Sequence, residues 1–150
     1  MKEFSIGIAP YIICKKTKKI KILMIQSSKK SEYGFIKGKK DNDETDKETA
    51  IRETEEEVYF EINDKNYLEK SFFQKNKKKD IKIYLININN INNLKKRLKK
   101  NKIKIKNREV YQCKLLNLNK KQKIMKNQEK IWSSIIIEMN NNIKSYEVLF

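Results

Sequence analysis

The stretch Gly38–Phe60 reads GKKDNDETDKETAIRETEEEVYF and is the most acidic part of a strongly basic chain. Residues 41–61 hold ten of the chain's 19 Asp and Glu, although the formal net charge of the 150 residues is +17. On a helix, Glu53, Glu56 and Glu57 would share one face within an arc of roughly 100°. Like charges so close repel one another unless a cation lies among them. Because oxygen ligands favour hard ions, the stretch predicts a site for Mg²⁺, or alternatively Mn²⁺.

A helix here also has a plausible beginning and a side to bury. Thr45 or Asp46 can cap its first turn. Ile51, Thr54 and Val58 lie on the side that faces away from the glutamates, so they can pack against a core. The stretch therefore predicts an amphipathic helix with one carboxylate face.

The spacing of the charged residues resembles the Nudix box, G-x5-E-x7-R-E-U-x-E-E-x-G-U, in which U is a bulky aliphatic residue. The chain matches its first glycine and all of its charged positions, namely Gly38, Glu44, Arg52, Glu53, Glu56 and Glu57. Thr54 stands at an aliphatic position, and Tyr59 stands where the second glycine is expected. A left-handed tyrosine after the helix would cost about 1–2 kcal/mol. We therefore expect the turn at Tyr59 to differ locally from the family's.

The resemblance implies an α/β fold, a Nudix-type α/β/α sandwich with a mixed sheet between helices, formed as a single domain over residues 1–150. The hydrophobic pattern agrees with this architecture. It predicts strands at 4–14, 20–25, 33–38, 70–74, 80–87 and 109–116, with a short strand at 60–62 and a short helix at 93–100. It also predicts a second long helix at 120–139, with Ile124, Ile131, Ile135 and Met139 on its apolar face.

The resemblance further implies hydrolysis of a nucleoside diphosphate that is linked to another group, X. Water attacks phosphorus, and divalent ions neutralise the phosphate charge and lower the pKa of the water. The implied metal ligands are the Gly38 carbonyl, Glu53, Glu56 and Glu57, and Glu56 or Glu57 would also act on the water. An ion pair between Glu44 and Arg52 would hold the loop and the helix in register.

A further carboxylate outside the box often acts as the base in this family. Glu109, just before a predicted strand, is the first candidate for this role, and an ordinary charge on an edge strand is the alternative. Glu129, on the second long helix, is a weaker candidate.

Residues beside Gly38 are candidates for substrate contacts. Lys37 and Lys39 flank it and could bind phosphate. Tyr33 and Phe35 could stack on a base, and a place in the core is the alternative. For Phe35 we expect the core.

Three functions remain open at this stage. Within the family that the chain resembles, the helix segment ETAIRETEEE, residues 48–57, and the compact length favour a dinucleoside-polyphosphate hydrolase. The segment YGFIKGK, residues 33–39, resembles the entry of the mRNA-decapping and dinucleoside-polyphosphate branches, with Ile36 in place of their proline. Together with 16 Lys or Arg against four Glu in residues 91–150, it keeps a capped or triphosphorylated RNA 5′ end as an alternative. A non-catalytic nucleotide- or RNA-binding module ranks last, because the implied ligand glutamates are all present.

Composition removes several other classes. The chain has no histidine, which excludes Ser-His and Cys-His catalysis and histidine-ligated zinc. No run approaches the ~20 apolar residues of a membrane span, and the N-terminus does not resemble a signal peptide. Cys14 and Cys113 are expected to be reduced core residues, which favours a cytoplasmic location. The lysine excess indicates either a polyanionic partner or compositional bias.

Overall fold

The computed structural model describes residues 2–99 and 112–146. Its strands are β1 (Glu3–Ile13), β2 (Ile20–Gln26), β3 (Tyr33–Gly34), β4 (Ile36–Lys39), β5 (Ser71–Gln74), β6 (Lys79–Asn87) and β7 (Gln112–Asn117). Its α-helices are α1 (Asp46–Val58), α2 (Leu94–Lys99), α3 (Glu129–Asn141) and α4 (Ile143–Tyr146). In sequence, the two long helices, α1 and α3, are separated by three of the seven strands, β5, β6 and β7.

A single mixed sheet joins the seven strands, with β1 near its centre. On one side, β6 runs parallel to β1, and β5 follows at the edge. On the other side, β1 pairs antiparallel first with β4 and then with β2, which in turn pairs with β3 and β7. The chain stops pairing with β2 at Gly34, the end of β3, and begins to pair with β1 at Ile36, the start of β4. Gly38 therefore lies opposite Ile6. This crossing brings the loop before α1 to the middle of the sheet.

Two hydrophobic cores cover the two faces of the sheet, because side chains alternate along each strand. Ile6 and Ile8 of β1 belong to the core under α1, whereas Ala9 and Tyr11 belong to the core under α3. Phe35 is buried in the second core, and its ring lies 6.4 Å from that of Trp132. The α/β/α sandwich and the core position of Phe35 are therefore confirmed.

The second long helix begins nine residues later than the sequence predicted. It starts at Glu129, after a 3₁₀ turn at Lys126–Gln128. Ile124, expected on the helix face, instead forms a parallel bridge with Tyr33. The Tyr33 amide donates to the Lys123 carbonyl at 2.7 Å, and the Met125 amide donates to the Tyr33 carbonyl at 2.9 Å. The helix cannot include this segment because its backbone groups are already used by β3.

Two smaller expectations were also wrong. Residues 60–62 do not form a strand, because Glu61 makes only an isolated bridge with Asn92. Cys14 is exposed rather than buried, since it lies in the turn after β1, and Cys113 is half-buried. Hydrogen bonds from the Thr17 side chain and nearby backbone lower the pKa of Cys14 to about 7. Burial raises the pKa of Cys113 to about 12.

Candidate active site on helix α1

Helix α1 begins with a capping box that the sequence anticipated in part. The Thr45 hydroxyl accepts a hydrogen bond from the Glu48 amide at 3.2 Å, and the Glu48 carboxylate accepts one from the Thr45 amide at 3.4 Å. The reciprocal pair satisfies two backbone donors that a helix end leaves open. Thr54 is fully buried at the aliphatic position, and its hydroxyl donates to the Ala50 carbonyl at 2.6 Å. The polar hydroxyl is thus satisfied inside the core.

Gly38 and Glu53 are in direct contact. A Cβ atom on Gly38 would lie 1.9 Å from Oε2 of Glu53, so only glycine leaves room for that carboxylate. The Glu53 side chain is 14% exposed. Burial raises the pKa of Glu53, and the charges of Glu56 and Asp41 add to the rise, whereas Arg52 opposes it. A cation placed here would relieve the same repulsion.

Arg52 connects the loop before α1 to the helix. Its guanidinium donates to both oxygens of Glu44, from Nε at 2.7 Å and from Nη2 at 2.9 Å. This is the two-pronged geometry that makes arginine–carboxylate pairs strong. The bond from Arg52 lowers the pKa of Glu44, and Glu44 in turn raises the pKa of Arg52. The predicted Glu44–Arg52 ion pair is therefore present.

The same guanidinium also contacts two of the predicted metal ligands. Nη1 donates to Glu53 at 2.9 Å and to both oxygens of Glu56 at 3.2 Å. Nη2 donates to the Lys39 carbonyl at 3.2 Å. Arg52 thus holds both glutamates on its own side of the helix.

Glu56 and Glu57 differ in their surroundings. Glu56 is largely exposed, with 57% of its side chain accessible. Glu57 is half-buried, and its Oε2 atom is shielded from solvent. Its negative charge acts to raise the pKa values of Lys37 and Cys113, which places Glu57 toward the β4 and β7 side of the helix.

The donor atoms of this face are of the type that a hard divalent cation prefers, but they are not arranged around one point. All of the donors are oxygens, and a half-buried glutamate with a raised pKa lies against a glycine that leaves it space. Within residues 2–99 and 112–146, however, no three acidic or cysteine side chains are gathered closely enough to hold a metal. Glu53 and Glu56 instead share the Nη1 atom of Arg52, so the guanidinium occupies the place beside these two carboxylates.

The other predicted site residues lie at different distances from this face. Lys37 lies beside Gly7, and burial, followed by the charge of Lys79, lowers its pKa. Lys39 is exposed at the end of β4. Tyr33 is half-buried against the core under α3, Glu129 is exposed at the start of that helix, and Glu109 lies outside the described residues. Their roles in binding or catalysis stay predictions.

Two further acidic residues serve this region, Asp41, which the sequence pattern did not single out, and Asp46, which it offered only as a helix cap. Asp41 lies 3.3 Å from Arg52. Asp46 accepts from Lys40 at 2.7 Å and from Lys82 at 2.9 Å, which fastens the start of α1 to β6. Burial acts to raise the pKa of Asp46, but the two lysines outweigh it and lower the value. No sequence signal could have shown this, because Lys82 is 36 residues away.

A family model described as NUDIX domain matches residues 7–131. The chain belongs to the Nudix family. It is thus a hydrolase that acts on acid anhydrides in phosphorus-containing compounds, and its substrates are nucleotide derivatives. Enzymes of this family generally use divalent metals such as Mg²⁺ or Mn²⁺. None of the described helices is both long and apolar enough to cross a bilayer.

Solved structures share this Nudix fold along most of the chain. An Ap4A hydrolase from C. elegans is 20% identical, with a TM-score of 0.58, and the alignment covers 95% of this chain and 98% of that one. A MutT NUDIX hydrolase from Burkholderia pseudomallei is 15% identical, with a TM-score of 0.60 and coverages of 90% and 98%.

A third structure contains a metal ion. It is a bifunctional NMN adenylyltransferase/ADP ribose pyrophosphatase from Francisella tularensis, complexed with AMP and Mn ion. It is 16% identical, with a TM-score of 0.62, and covers 92% of this chain and 42% of its own. At these identities the likeness concerns the fold alone. No curated protein matched the sequence significantly.

Proposed function

We propose that this Nudix hydrolase is a Mg²⁺-dependent pyrophosphohydrolase, with Mn²⁺ as a possible substitute, that cleaves a phosphoanhydride bond of a dinucleoside polyphosphate. The observation that carries the proposal is the seating of the Glu53 carboxylate against Gly38, on the helix face that also bears Glu56 and Glu57. On that face the nearly buried Glu53 has the same charge as the half-buried Glu57 and the exposed Glu56, and a cation would relieve their repulsion.

Each residue of this set has a separate part in the proposal. Glu53 and Glu57 would hold the divalent ion most directly, and Glu56 would complete the set with the Gly38 carbonyl. The bound ion would neutralise phosphate charge and make the attacking water more acidic. Either Glu56 or Glu57 would accept the proton of that water.

The basic residues around the set have supporting parts. Arg52 positions the glutamates through its bonds to Glu44 and to the helix. Lys37 is suited to bind phosphate. Burial disfavours the charged form of its ammonium group, and a neighbouring anion would stabilise that form. Lys39 would add a second phosphate contact at the exposed end of β4.

The substrate class is supported by the end-to-end likeness to the C. elegans Ap4A hydrolase. An RNA 5′ end remains the second candidate. It is favoured by three exposed lysines in the turn between β5 and β6, which are Lys75, Lys77 and Lys78.

The test is turnover of a substrate panel by the purified protein with Mg²⁺ or Mn²⁺. The panel holds dinucleoside polyphosphates, nucleoside triphosphates, nucleotide sugars, and capped and triphosphorylated RNA. We expect preferential cleavage of dinucleoside polyphosphates. In Glu57→Gln we expect a loss of at least about 100-fold in kcat, since one metal ligand is removed.

Glu55→Gln is the matched control. Glu55 is exposed on the same helix, and its substitution removes the same charge. Mn²⁺ binding, followed by electron paramagnetic resonance, gives a readout separate from activity and should weaken in Glu57→Gln alone. Equal activity of the two variants would refute the metal assignment. Selective cleavage of an RNA 5′ end would instead favour the second candidate.

A further inference from the structure

A pair of aromatic rings, one half-buried on β1 and one exposed on the edge strand β5, lies on the sheet. Phe73 of the edge strand β5 is 56% exposed. Its ring meets that of Phe4 edge to face, with centroids 6.1 Å apart and planes at 78°. The ammonium group of Lys40 lies 5.9 Å from the centre of the Phe4 ring. A flat apolar ring beside a cation is a platform on which an unpaired base can stack.

A lysine-lined pocket lies where the start of β1 pairs with the start of β6, one residue before Phe4. Its volume is about 650 Å³, and its lining is Lys2, Glu3, Lys77, Lys78 and Lys79. Lys2 forms an ion pair with Asp80 at 3.1 Å, and Lys79 forms one with Glu3 at 3.6 Å. Among the described residues, no ion pair engages Lys77 or Lys78. The pocket therefore carries a positive charge that an anion can neutralise.

The turn that presents these lysines is held in one shape by Asn76. Its backbone amide donates to Asp80 at 3.0 Å, and its side-chain amide donates to the Asn127 carbonyl at 2.9 Å. Its side-chain oxygen accepts from Gln74 at 2.9 Å. The Glu3 amide also donates to the Lys78 carbonyl at 3.1 Å. Because the backbone is already ordered, a ligand would have to immobilise only the lysine side chains.

The aromatic pair and the pocket are neighbours along the chain and across the sheet, because Glu3 and Phe4 pair with Lys79 and Asp80. Phe4 follows Glu3 of the pocket, and Phe73 precedes Lys75 by two residues. We name Phe4, Phe73, Lys77 and Lys78 together the Phe–Lys surface. An aromatic platform next to a groove of cations is the combination that recognises a single strand of nucleic acid, where bases stack and phosphates meet cations.

We infer that the Phe–Lys surface binds a single-stranded nucleic acid chain. The inference does not rest on the proposed function, because it requires no phosphoanhydride bond and no metal. A duplex fits less well, since its bases are already stacked on one another. The surface would give the enzyme a nucleic-acid-binding site separate from the glutamate face.

The test is fluorescence anisotropy with a labelled 5′-hydroxyl oligoribonucleotide of about 12 nucleotides, in EDTA. We expect Phe73→Ala to weaken binding about ten-fold through the loss of base stacking. Phe73→Tyr keeps the ring and should bind like the parent, whereas Phe73→Leu should resemble Phe73→Ala. A circular-dichroism melt checks that each variant folds. We expect each variant to fold, because Phe73 is exposed.

The lysines are tested by the slope of log affinity against log salt. Lys77→Gln/Lys78→Gln removes two phosphate contacts and should lower that slope by about 1.4. Lys16→Gln/Lys19→Gln is the matched control, because it removes the same charge from two exposed lysines of the β1–β2 turn. It should leave the slope unchanged.

Four results would overturn the inference. Equal slopes in the two lysine pairs would mean that the net charge of the chain, and not this surface, attracts the oligonucleotide. Unchanged affinity in Phe73→Ala, or equal affinity for a duplex, would remove the stacking platform. A shift of Phe73→Ala from dimer to monomer in sedimentation would make the surface a contact between copies of the chain.

Discussion

Tyr59 ends helix α1 in the left-handed conformation, with φ 54° and ψ 31°. The sequence led us to expect a different local turn, and that expectation was wrong. The left-handed turn is kept although its usual glycine is absent. The Tyr59 carbonyl accepts a hydrogen bond from Arg97 at 2.9 Å, and the residues on either side, Val58 and Phe60, are buried. Tertiary contacts therefore hold a conformation that tyrosine itself disfavours.

Tyr59→Gly should stabilise the protein by about 0.5–1 kcal/mol. Glycine removes about 1–2 kcal/mol of backbone strain from the folded state. It also gives the unfolded chain more conformational freedom, which offsets part of that gain in stability. Urea unfolding with an unchanged m-value measures the difference. Tyr59→Ala is the control, since it removes the ring but keeps the strain. A glycine variant no more stable than the alanine variant would contradict the relief of strain, and an alanine variant less stable than the parent would show that the Tyr59 ring has a stabilising role.

At the scale of elements, β4 and α1 are in contact where the Glu53 carboxylate lies against Gly38, which has no side chain. Gly38→Ala should fold almost normally, because the atoms that a methyl group would meet are the end of the flexible Glu53 side chain. The displaced carboxylate should lower kcat by at least about ten-fold, if Glu53 binds the metal as proposed. Thermal unfolding and turnover measured on the same sample separate the two effects.

Gly7→Ala provides the contrast. A methyl group there would lie 1.9 Å from the Ile36 carbonyl oxygen, which is backbone and cannot move aside. That variant should lose stability before it loses any specific step of the reaction. If Gly38→Ala were destabilised as strongly as Gly7→Ala, the space at Gly38 would serve packing rather than the position of Glu53.

The sequence predicted the elements whose signals are local. The capped helix α1, the β1–β2 hairpin and the strand β6 follow from periodicity and turn residues, and the Glu44–Arg52 pair followed from the resemblance. It did not predict the beginning of α3. That beginning depends on Gln74 of β5, whose oxygen accepts from the Lys130 and Ile131 amides at 2.9 and 3.3 Å. Such a cap comes from 56 residues away, so no window of sequence contains it.

The site divides in the same way. The positions of the glutamates on one helix face followed from the box, but the bonds of Arg52 to Glu53 and Glu56 did not, because they depend on which rotamers share one guanidinium. The burial of Lys37 arises from the pairing of β4 with β1, a contact between distant segments. Long-range pairings of this kind set the electrostatics of the site, and composition alone does not reveal them.

At the scale of the whole molecule, the formal charge of +17 surrounds one acidic helix. A polyphosphate substrate is attracted by the long-range positive field, which raises the rate of encounter whether the lysines arose by selection or by compositional bias. Salt screens this field, since the Debye length falls from about 30 Å at 0.01 M to about 8 Å at 0.15 M. The chemical step that we propose at the glutamates would act over a few ångströms and would be screened much less.

Raising the ionic strength over this range at constant free Mg²⁺ should therefore lower kcat/KM several-fold for a dinucleoside polyphosphate and leave kcat nearly unchanged. Steady-state kinetics at several NaCl concentrations gives both values. Lys16→Gln/Lys19→Gln, which removes two charges far along the sequence from α1, should reduce the salt dependence only slightly, because the field sums over many lysines. A parallel fall of kcat and kcat/KM would mean that salt acts on the metal or the fold, and not on encounter.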